Sequence, residues 1–318
     1  MSATTPYIIL GTGPLGLAIM DELAAQKLPI TLVNRSGRLH EPLPAHTRLV
    51  AADVTDSAAL TKICQGAGHV FWCTQPAYHR WPQEFPAMTE AVINGVAPTG
   101  ARLIFGSNTY MYGRPNGRPL TEQSPYAAHT RKGKVRAQMA DMLLNAHAAG
   151  QLPVVIGRAS DFYGPRVRQS ALGEMVFAAA LQGKAANLAG DLDQPHSYTY
   201  IRDFARALVQ LAHDDDAYGR AWHVPNAPAG STRDFIRLLE AELGQPVKVR
   251  LAGPLLLRLV GLFSPGAGET VEMLYEFTEP YVVDSSAYTS RFGTQATPHT
   301  AGIRETVAWY RQTIASNY

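Results

Sequence analysis

Residues 11–16 read Gly11-Thr12-Gly13-Pro14-Leu15-Gly16, a spacing suited to holding a phosphate. The first glycine permits a tight turn, the second lets a phosphate reach the backbone, and the third lets a helix pack on a strand. An apolar run at 7–10 precedes them and a helical pattern follows, so a pyrophosphate would rest on a helix N-terminus, where free N–H groups and the helix dipole favour anions. A tight turn without a ligand is the plain alternative, but strand, helix and second strand fall in the order a dinucleotide site requires. The second strand ends Thr31-Leu32-Val33-Asn34-Arg35-Ser36. An acid there would bind the ribose 2′-hydroxyl of NAD, whereas an arginine accommodates the 2′-phosphate of NADP. Asn34 stands in place of the acid, and Arg35, Ser36 and then Arg38 follow, so the charge pattern favours NADP over NAD, with solvated loop arginines as the plainer reading. Asp53 and Val54 close the third strand, where a short carboxylate and an apolar neighbour could hold an adenine edge; Asp56 suits a helix cap. Thr74, just past the fourth strand, joins the cofactor-binding set.

Other chemistries find little support. Ten histidines include no His-Glu-x-x-His, and Cys64 and Cys73 form no Cys-x-x-Cys, so no metal is expected and a reducing compartment fits. Neither a Gly-x-Ser-x-Gly elbow nor a Gly-x-x-x-x-Gly-Lys-Ser/Thr loop occurs, which sets aside hydrolase and triphosphatase readings. Twenty-eight basic against twenty-six acidic residues leave a charge of +2, without the basic excess of a nucleic-acid binder. The longest apolar stretch, 255–263, is too short to cross a bilayer and carries Arg258, and residues 1–6 offer no basic residue ahead of an apolar region. The expectation is a cytoplasmic protein with a small-molecule substrate, without nucleic-acid or membrane partners.

The elements that must position these residues follow from hydropathy. The 318 residues, 46% hydrophobic and 17% charged, suit two lobes or one large α/β unit. Apolar runs at 7–10, 30–34, 47–51, 69–73, 102–106 and 153–158 alternate with helical patterns at 15–26, 57–65, 85–95 and 133–149. That alternation predicts a doubly wound, Rossmann-like parallel sheet, its strands buried on both faces. Further helices are expected at 172–182, 202–212, 232–243 and 302–315, with a last strand at 221–224. Ile303, Val307, Tyr310 and Ile314 share one face of the final helix and read as core. The expected division is a cofactor-binding domain over 1–165, to which 197–226 returns, and a smaller substrate lobe over 166–318.

Together these features resemble the short-chain dehydrogenase/reductase superfamily in its extended and atypical branches, the NAD-dependent epimerase/dehydratase family. The resemblance rests on the glycine motif, Asp53-Val54, the segment from Phe105 to Gly113 ending in Tyr112-Gly113, the segment from Arg158 to Arg166, and that from His196 to Ala205. The family usually carries Asn where Asp161 stands. It also carries a Tyr-x-x-x-Lys pair, whose tyrosine is the general acid or base and whose lysine lowers the phenol pKa and holds the nicotinamide ribose. Lys134 fits that lysine, but Thr130 occupies the tyrosine position, and Asn108 occupies the Ser/Thr position, flanked by Ser107 and Thr109.

The resemblance therefore implies an intact cofactor platform with both catalytic hydroxyl positions changed. Candidates for the reacting centre are Lys134, Thr130, Asn108 and Ser107, with Tyr110 or Tyr163 relaying a proton and Tyr126, His129 and Tyr112 as further hydroxyl or imidazole sources. Tyr112 suits a structural role, as does His196. Arg131 and Lys132 read as solvated or as contacts to an anion. The implied activity is hydride transfer between NADP(H) and a small carbonyl or alcohol in a cleft between the lobes. Alternatives are a nucleotide-sugar epimerase or dehydratase, and a sensor that binds the cofactor without turnover. Helices 85–95 and 133–149 suit either packing within the chain or a homodimer.

Overall fold

The computed structural model describes residues 5–252, 271–293 and 296–315, so the apolar stretch 255–263 lies outside the described residues. In chain order the elements begin with β1 (Tyr7–Leu10), α1 (Pro14–Ala25), β2 (Ile30–Asn34), β3 (Thr47–Ala51), α2 (Ser57–Cys64) and β4 (His69–Trp72). Then come α3 (Trp81–Val96), β5 (Arg102–Ser107), α4 (Arg131–Ala148), β6 (Val154–Arg158), β7 (Asp161–Tyr163) and α5 (Phe177–Leu181). The remainder is β8 (Ala186–Ala189), β9 (Pro195–His196), β10 (Tyr198–Tyr200), α6 (Ile201–Ala212), β11 (Ala221–His223), β12 (Gly230–Ser231), α7 (Thr232–Leu243), β13 (Val249–Ala252), α8 (Ser286–Phe292) and α9 (His299–Ala315). They form two compact units. Unit 1 takes the described residues up to Met111, with Lys132–Arg158 and Phe204–Trp222; unit 2 takes Tyr112–Arg131, Ala159–Asp203 and the described residues from His223 onward.

Unit 1 is an α/β layer structure around a seven-stranded sheet of order β11-β6-β5-β4-β1-β2-β3. Strands β1 to β6 pair in parallel throughout. Every residue of β1 and β6 is buried, as the unbroken apolar runs require. β3 departs from the expectation: none of its residues is buried, because it is the sheet's edge and only β2 covers it. The chain runs outward from β1 to β3 and returns on the other side of β1 with β4. That reversal makes a switch point at the carboxyl ends of β1 and β4, the place where open α/β sheets leave room for a ligand. The apolar faces of α3 and α4 are used within the unit: Phe85, Val92, Met139 and Leu143 join one buried cluster with β4, β5 and β6.

Unit 2 is organised around a second core. Tyr163, Phe177, Tyr198, Phe235, Ile303, Val307 and Tyr310 pack together, so the periodic face of α9 is core as its spacing predicts, with Ile314 at the margin. Each such side chain contributes roughly 1.5–3 kcal/mol on burial. Three two-stranded sheets, β7 with β10, β9 with β12 and β8 with β13, were not visible as apolar runs. The helix expected at 172–182 shrinks to the five residues of α5. A turn interrupts it, in which Gly173 N–H donates to Ser170 O and Glu174 N–H to Arg168 O, and a side chain at Gly173 would collide with that carbonyl.

Candidate functional site

The loop between β1 and α1 uses its glycines in three ways. Gly11 has φ +118°, and a Cβ there would lie 2.9 Å from the Thr74 methyl and 3.1 Å from the Cys73 carbonyl carbon. A Cβ on Gly16 would overlap the carbonyl oxygen of Gly11, so this glycine lets α1 lie close on β1. Gly13 is exposed, and a Cβ built on it meets nothing within 4 Å. It caps α1 without a side-chain hydrogen bond, Pro14 takes the first helical position, and no carboxylate occupies the first turn. The first-turn N–H groups therefore lie beside open space at Gly13, and no acidic side chain of that turn caps them. That is a cradle of the right chemistry for a pyrophosphate.

Around this cradle, Asn34 Nδ2 donates to Thr12 Oγ1 and Arg38 O, both at 3.0 Å, and Asn34 Oδ1 accepts from Gly37 N at 2.7 Å. The amide thus ties the glycine loop to the turn after β2. Arg35, Ser36 and Arg38 are exposed on that turn. Asp53 Oδ1 accepts from the Thr55 N–H at 2.9 Å and hydroxyl at 2.8 Å, and these bonds, with a smaller contribution from the Arg35 charge, hold its carboxyl below the usual range. Val54 is buried beside it, and Asp56 caps α2 by accepting from Ala59 N at 2.9 Å. Thr74 receives Trp72 Nε1–H at 2.7 Å while its methyl abuts Gly11.

At the carboxyl end of β5, Ser107 and Thr109 are buried, and Asn108 Oδ1 accepts from Tyr110 N at 3.3 Å, which closes the turn spanning Tyr110–Tyr112. Tyr110 is half-buried, its ring 6.1 Å from that of Trp81. Helix α4 brings two cations to the same region. Lys132 is 0% exposed with Nζ 4.3 Å above the Tyr78 ring, and Arg136, one turn later, is 5% exposed with its guanidinium 4.3 Å from Trp81 and 4.5 Å from Phe85. Arg136 Nε has no hydrogen-bond partner, and burial lowers the guanidinium to about 10, opposed by the hydroxyls of Tyr110 and Tyr78. Lys134 lies on the exposed face of α4, and Thr130 is buried just ahead of the helix. From sequence Lys132 reads as solvated or as a contact to an anion; the signal that points it and Arg136 inward is their spacing with Val135, Met139 and Leu143 on the face that enters the core.

The remaining candidates belong to unit 2. Tyr163 is fully buried, its hydroxyl 3.1 Å from His299 Nδ1, and burial with the nearby Asp203 charge raises its phenol well above the ordinary value. Tyr112 is buried with its hydroxyl 2.8 Å from His223 Nε2, and Tyr126 stands edge-on to it at 6.0 Å on the surface. His129 is exposed against Tyr275, and the Arg131 N–H donates to Glu272 Oε2 at 3.0 Å. His196 is buried against Asp161. Among the described residues no group of His, Cys, Asp and Glu could hold a metal ion, and no helix is long and apolar enough to cross a membrane.

Comparison with known proteins follows this geometry. The sequence profile of the NAD dependent epimerase/dehydratase family matches residues 7–224. A dTDP-glucose 4,6-dehydratase of Neisseria gonorrhoeae is 25% identical over 204 residues, 60% of this chain and 53% of that protein. An uncharacterized UDP-glucose epimerase of Bacillus subtilis is 24% identical over 142 residues, 43% of each chain. The match to the dehydratase thus spans about half of that relative's length. Among solved structures, a UDP-N-acetylglucosamine 4-epimerase from Methanobrevibacter ruminantium, in complex with UDP-N-acetylmuramic acid, superposes with a TM-score of 0.81 at 19% identity, covering 97% of this chain and 99% of that one. A dTDP-glucose 4,6-dehydratase from Bacillus anthracis in complex with NAD gives 0.79 at 16% identity, covering 97% of both chains. At such identity these likenesses speak for the fold, and the profile match over most of the chain carries the assignment: the protein belongs to the NAD-dependent epimerase/dehydratase family.

Proposed function

We propose that the chain is an NAD(P)-dependent oxidoreductase that oxidises and re-reduces a hydroxyl-bearing carbon of a sugar-like substrate, as an epimerase or dehydratase does. Family membership favours this over the reduction of small carbonyl compounds expected from sequence, and over a sensor without turnover. The observation that carries it is the open cradle at Gly13, where uncapped N–H groups of α1 await an anion at the sheet's switch point. When bound, the nicotinamide cofactor supplies the hydride acceptor and donor. The loop Gly11 to Gly16 would hold the pyrophosphate, with Thr12 fixed by Asn34, and Thr74, Asp53 and Val54 bordering the dinucleotide. No carboxylate ends β2, so Arg35 and Ser36 suit a 2′-phosphate, and NADP is the proposed cofactor; the Bacillus anthracis relative is complexed with NAD, which makes NAD the competing case.

For proton transfer we assign Tyr110. Tyr163 is closed into the core of unit 2, and Thr130 is an alcohol that one ammonium cannot tune to ionise near neutrality. Tyr110 lies three residues beyond β5 and its hydroxyl interacts electrostatically with the Arg136 guanidinium. Lys132 adds a second buried positive charge on the same face of α4, while Ser107 and Asn108 border the turn that carries Tyr110. The test is conversion of nucleotide-linked sugars in the presence of NADP or NAD, read by chromatography with mass detection. An epimer or a dehydrated keto sugar is expected, lost in Tyr110→Phe. Oxidation of the reduced cofactor by simple aldehydes or ketones, with no sugar converted, would return the small-carbonyl reading.

A further inference from the structure

Unit 2 contains a cleft of about 460 Å³, within the size range of small-molecule sites, and every residue that lines it belongs to that unit. It is walled by the loop that follows β11 and by the segment that leads into α8, and it shares no residue with the cradle. Three bonds fix its segments against one another. The Val283 N–H donates to Ser197 Oγ at 3.0 Å, the Leu120 N–H to Val282 O at 2.8 Å, and the Asn226 N–H to Ser285 Oγ at 3.4 Å. Asn226 Oδ1 accepts in turn from the Thr199 hydroxyl, and Ser160 Oγ donates to Ser197 O at 2.6 Å. The cleft thus rests on a buried polar network and is shaped before any ligand arrives.

Its lining has hydrogen-bonding capacity that the chain does not use. Ser197 is 1% exposed; its oxygen accepts from Val283, but among the described residues its own hydroxyl hydrogen meets no acceptor. A buried donor without a partner is costly, and an oxygen placed in the cleft relieves that cost. Asn226 Nδ2 carries two hydrogens and spends one on Val224 O at 3.2 Å. On α8 the hydroxyls of Ser286, Thr289 and Ser290 stand at i, i+3 and i+4, on one side of the helix, and make no hydrogen bond among the described residues. Asp284 accepts from the Ser286 N–H through Oδ1 at 2.7 Å, which leaves Oδ2 as an acceptor. The rest of the lining is apolar, with Pro119, Pro228 and Ala229 exposed, and no lysine, arginine or histidine lines the cleft.

We infer that this cleft is a binding site for an uncharged polyhydroxy ligand, a single sugar ring or a polyol of similar size. A sugar ring combines hydroxyls that each donate and accept with an apolar face of C–H groups. Its hydroxyls answer the unspent donors of Ser197 and Asn226, the Asp284 oxygen and the α8 hydroxyls, while its C–H face covers the prolines and Ala229. An apolar ligand leaves the Ser197 donor unmet, and an anion finds no cationic side chain to balance its charge. The inference does not depend on the proposed reaction.

The test uses the full chain. Crystals are soaked separately in glucose and in inorganic phosphate, and glucose is titrated in solution by NMR into the wild type, the double variant Thr289→Val with Ser290→Ala, and Ala229→Phe. The replaced side chains are exposed or half-buried, so thermal melts should stay level. Glucose should occupy the cleft with hydroxyls within hydrogen-bond distance of Ser197 Oγ and Asp284 Oδ2, with no phosphate there. The solution titration should saturate, and should weaken at least about tenfold in the double variant, which lacks two hydroxyls, and in Ala229→Phe, which fills the space. Phosphate in the cleft, water alone there, glucose bound at crystal concentration only, or variants that bind glucose as the wild type does would each overturn the inference.

Discussion

Three glycines in one loop answer to three different constraints, and each can be tested alone. Gly16 has no room for a methyl, so Gly16→Ala should cost about 1–3 kcal/mol in stability, read as a lowered denaturant midpoint. Gly13 has φ −75° and open space, so Gly13→Val should keep the midpoint within about 0.5 kcal/mol while it fills the cradle and weakens dinucleotide binding at least about tenfold. Equal destabilisation by both substitutions would mean that the loop is only a tight turn. On α4 the contrast is Lys132 against Lys134. Lys132→Met removes a buried charge that sits over Tyr78 and should reduce turnover about tenfold or more, whereas Lys134→Met, on the exposed face, should change it less than about twofold. A reversed order would put the lysine of the sequence motif back at Lys134. The glycine motif was legible because each glycine answers to a backbone constraint. At the lysine, the Tyr-x-x-x-Lys spacing from Thr130 points to Lys134 on the exposed face of α4 while the helix turns Lys132 inward, and spacing by itself does not decide between the two.

At the scale of elements, type and order were readable and environment less so. The apolar runs placed β1 to β6 within a residue of their observed limits, but β3, an equally apolar run, lies at an edge, because pairing order is not written in one strand's composition. α7 begins on a capping box in which Ser231 and Asp234 serve each other's backbone N–H, so Ser231→Ala should lower stability by about 1 kcal/mol in a denaturant titration. The amino ends of β1, β4 and β5 carry a titrating cluster: Tyr7 and His69 stack at 5.3 Å, and His213 lies 5.3 Å from His69. Burial first, then the charges of His213 and Arg102, lower His69 to about 4 from 6.5. The unfolded chain therefore binds the proton more readily than the folded one in that interval. Stability is full above pH 6.5 and falls as the pH drops toward 4. His69→Phe should flatten this slope in thermal melts across the same interval; an unchanged slope would place the acid sensitivity elsewhere.

For the whole molecule, the near-neutral charge argued against a nucleic-acid binder, the five ordered motifs led to the family, and a match over residues 7–224 then fixed it. What the sequence could not supply was the second unit's chemistry. Ser197, Asn226 and Asp284 lie in three separate segments of the chain, and only the fold brings them to one cleft. The same holds for the aromatic walls around Arg136, which come from α3 and β5 rather than from its own helix. The proposed activity depends on the cradle before anything else. Calorimetric titration of NADPH and NADH into the wild-type chain, Gly13→Val and Arg35→Ala tests it most directly. The account predicts saturable binding by the wild type, loss of both cofactors in Gly13→Val, and a loss in Arg35→Ala that is larger for NADPH than for NADH. A wild type that binds neither cofactor, or a Gly13→Val chain that binds as well as the wild type, would contradict it.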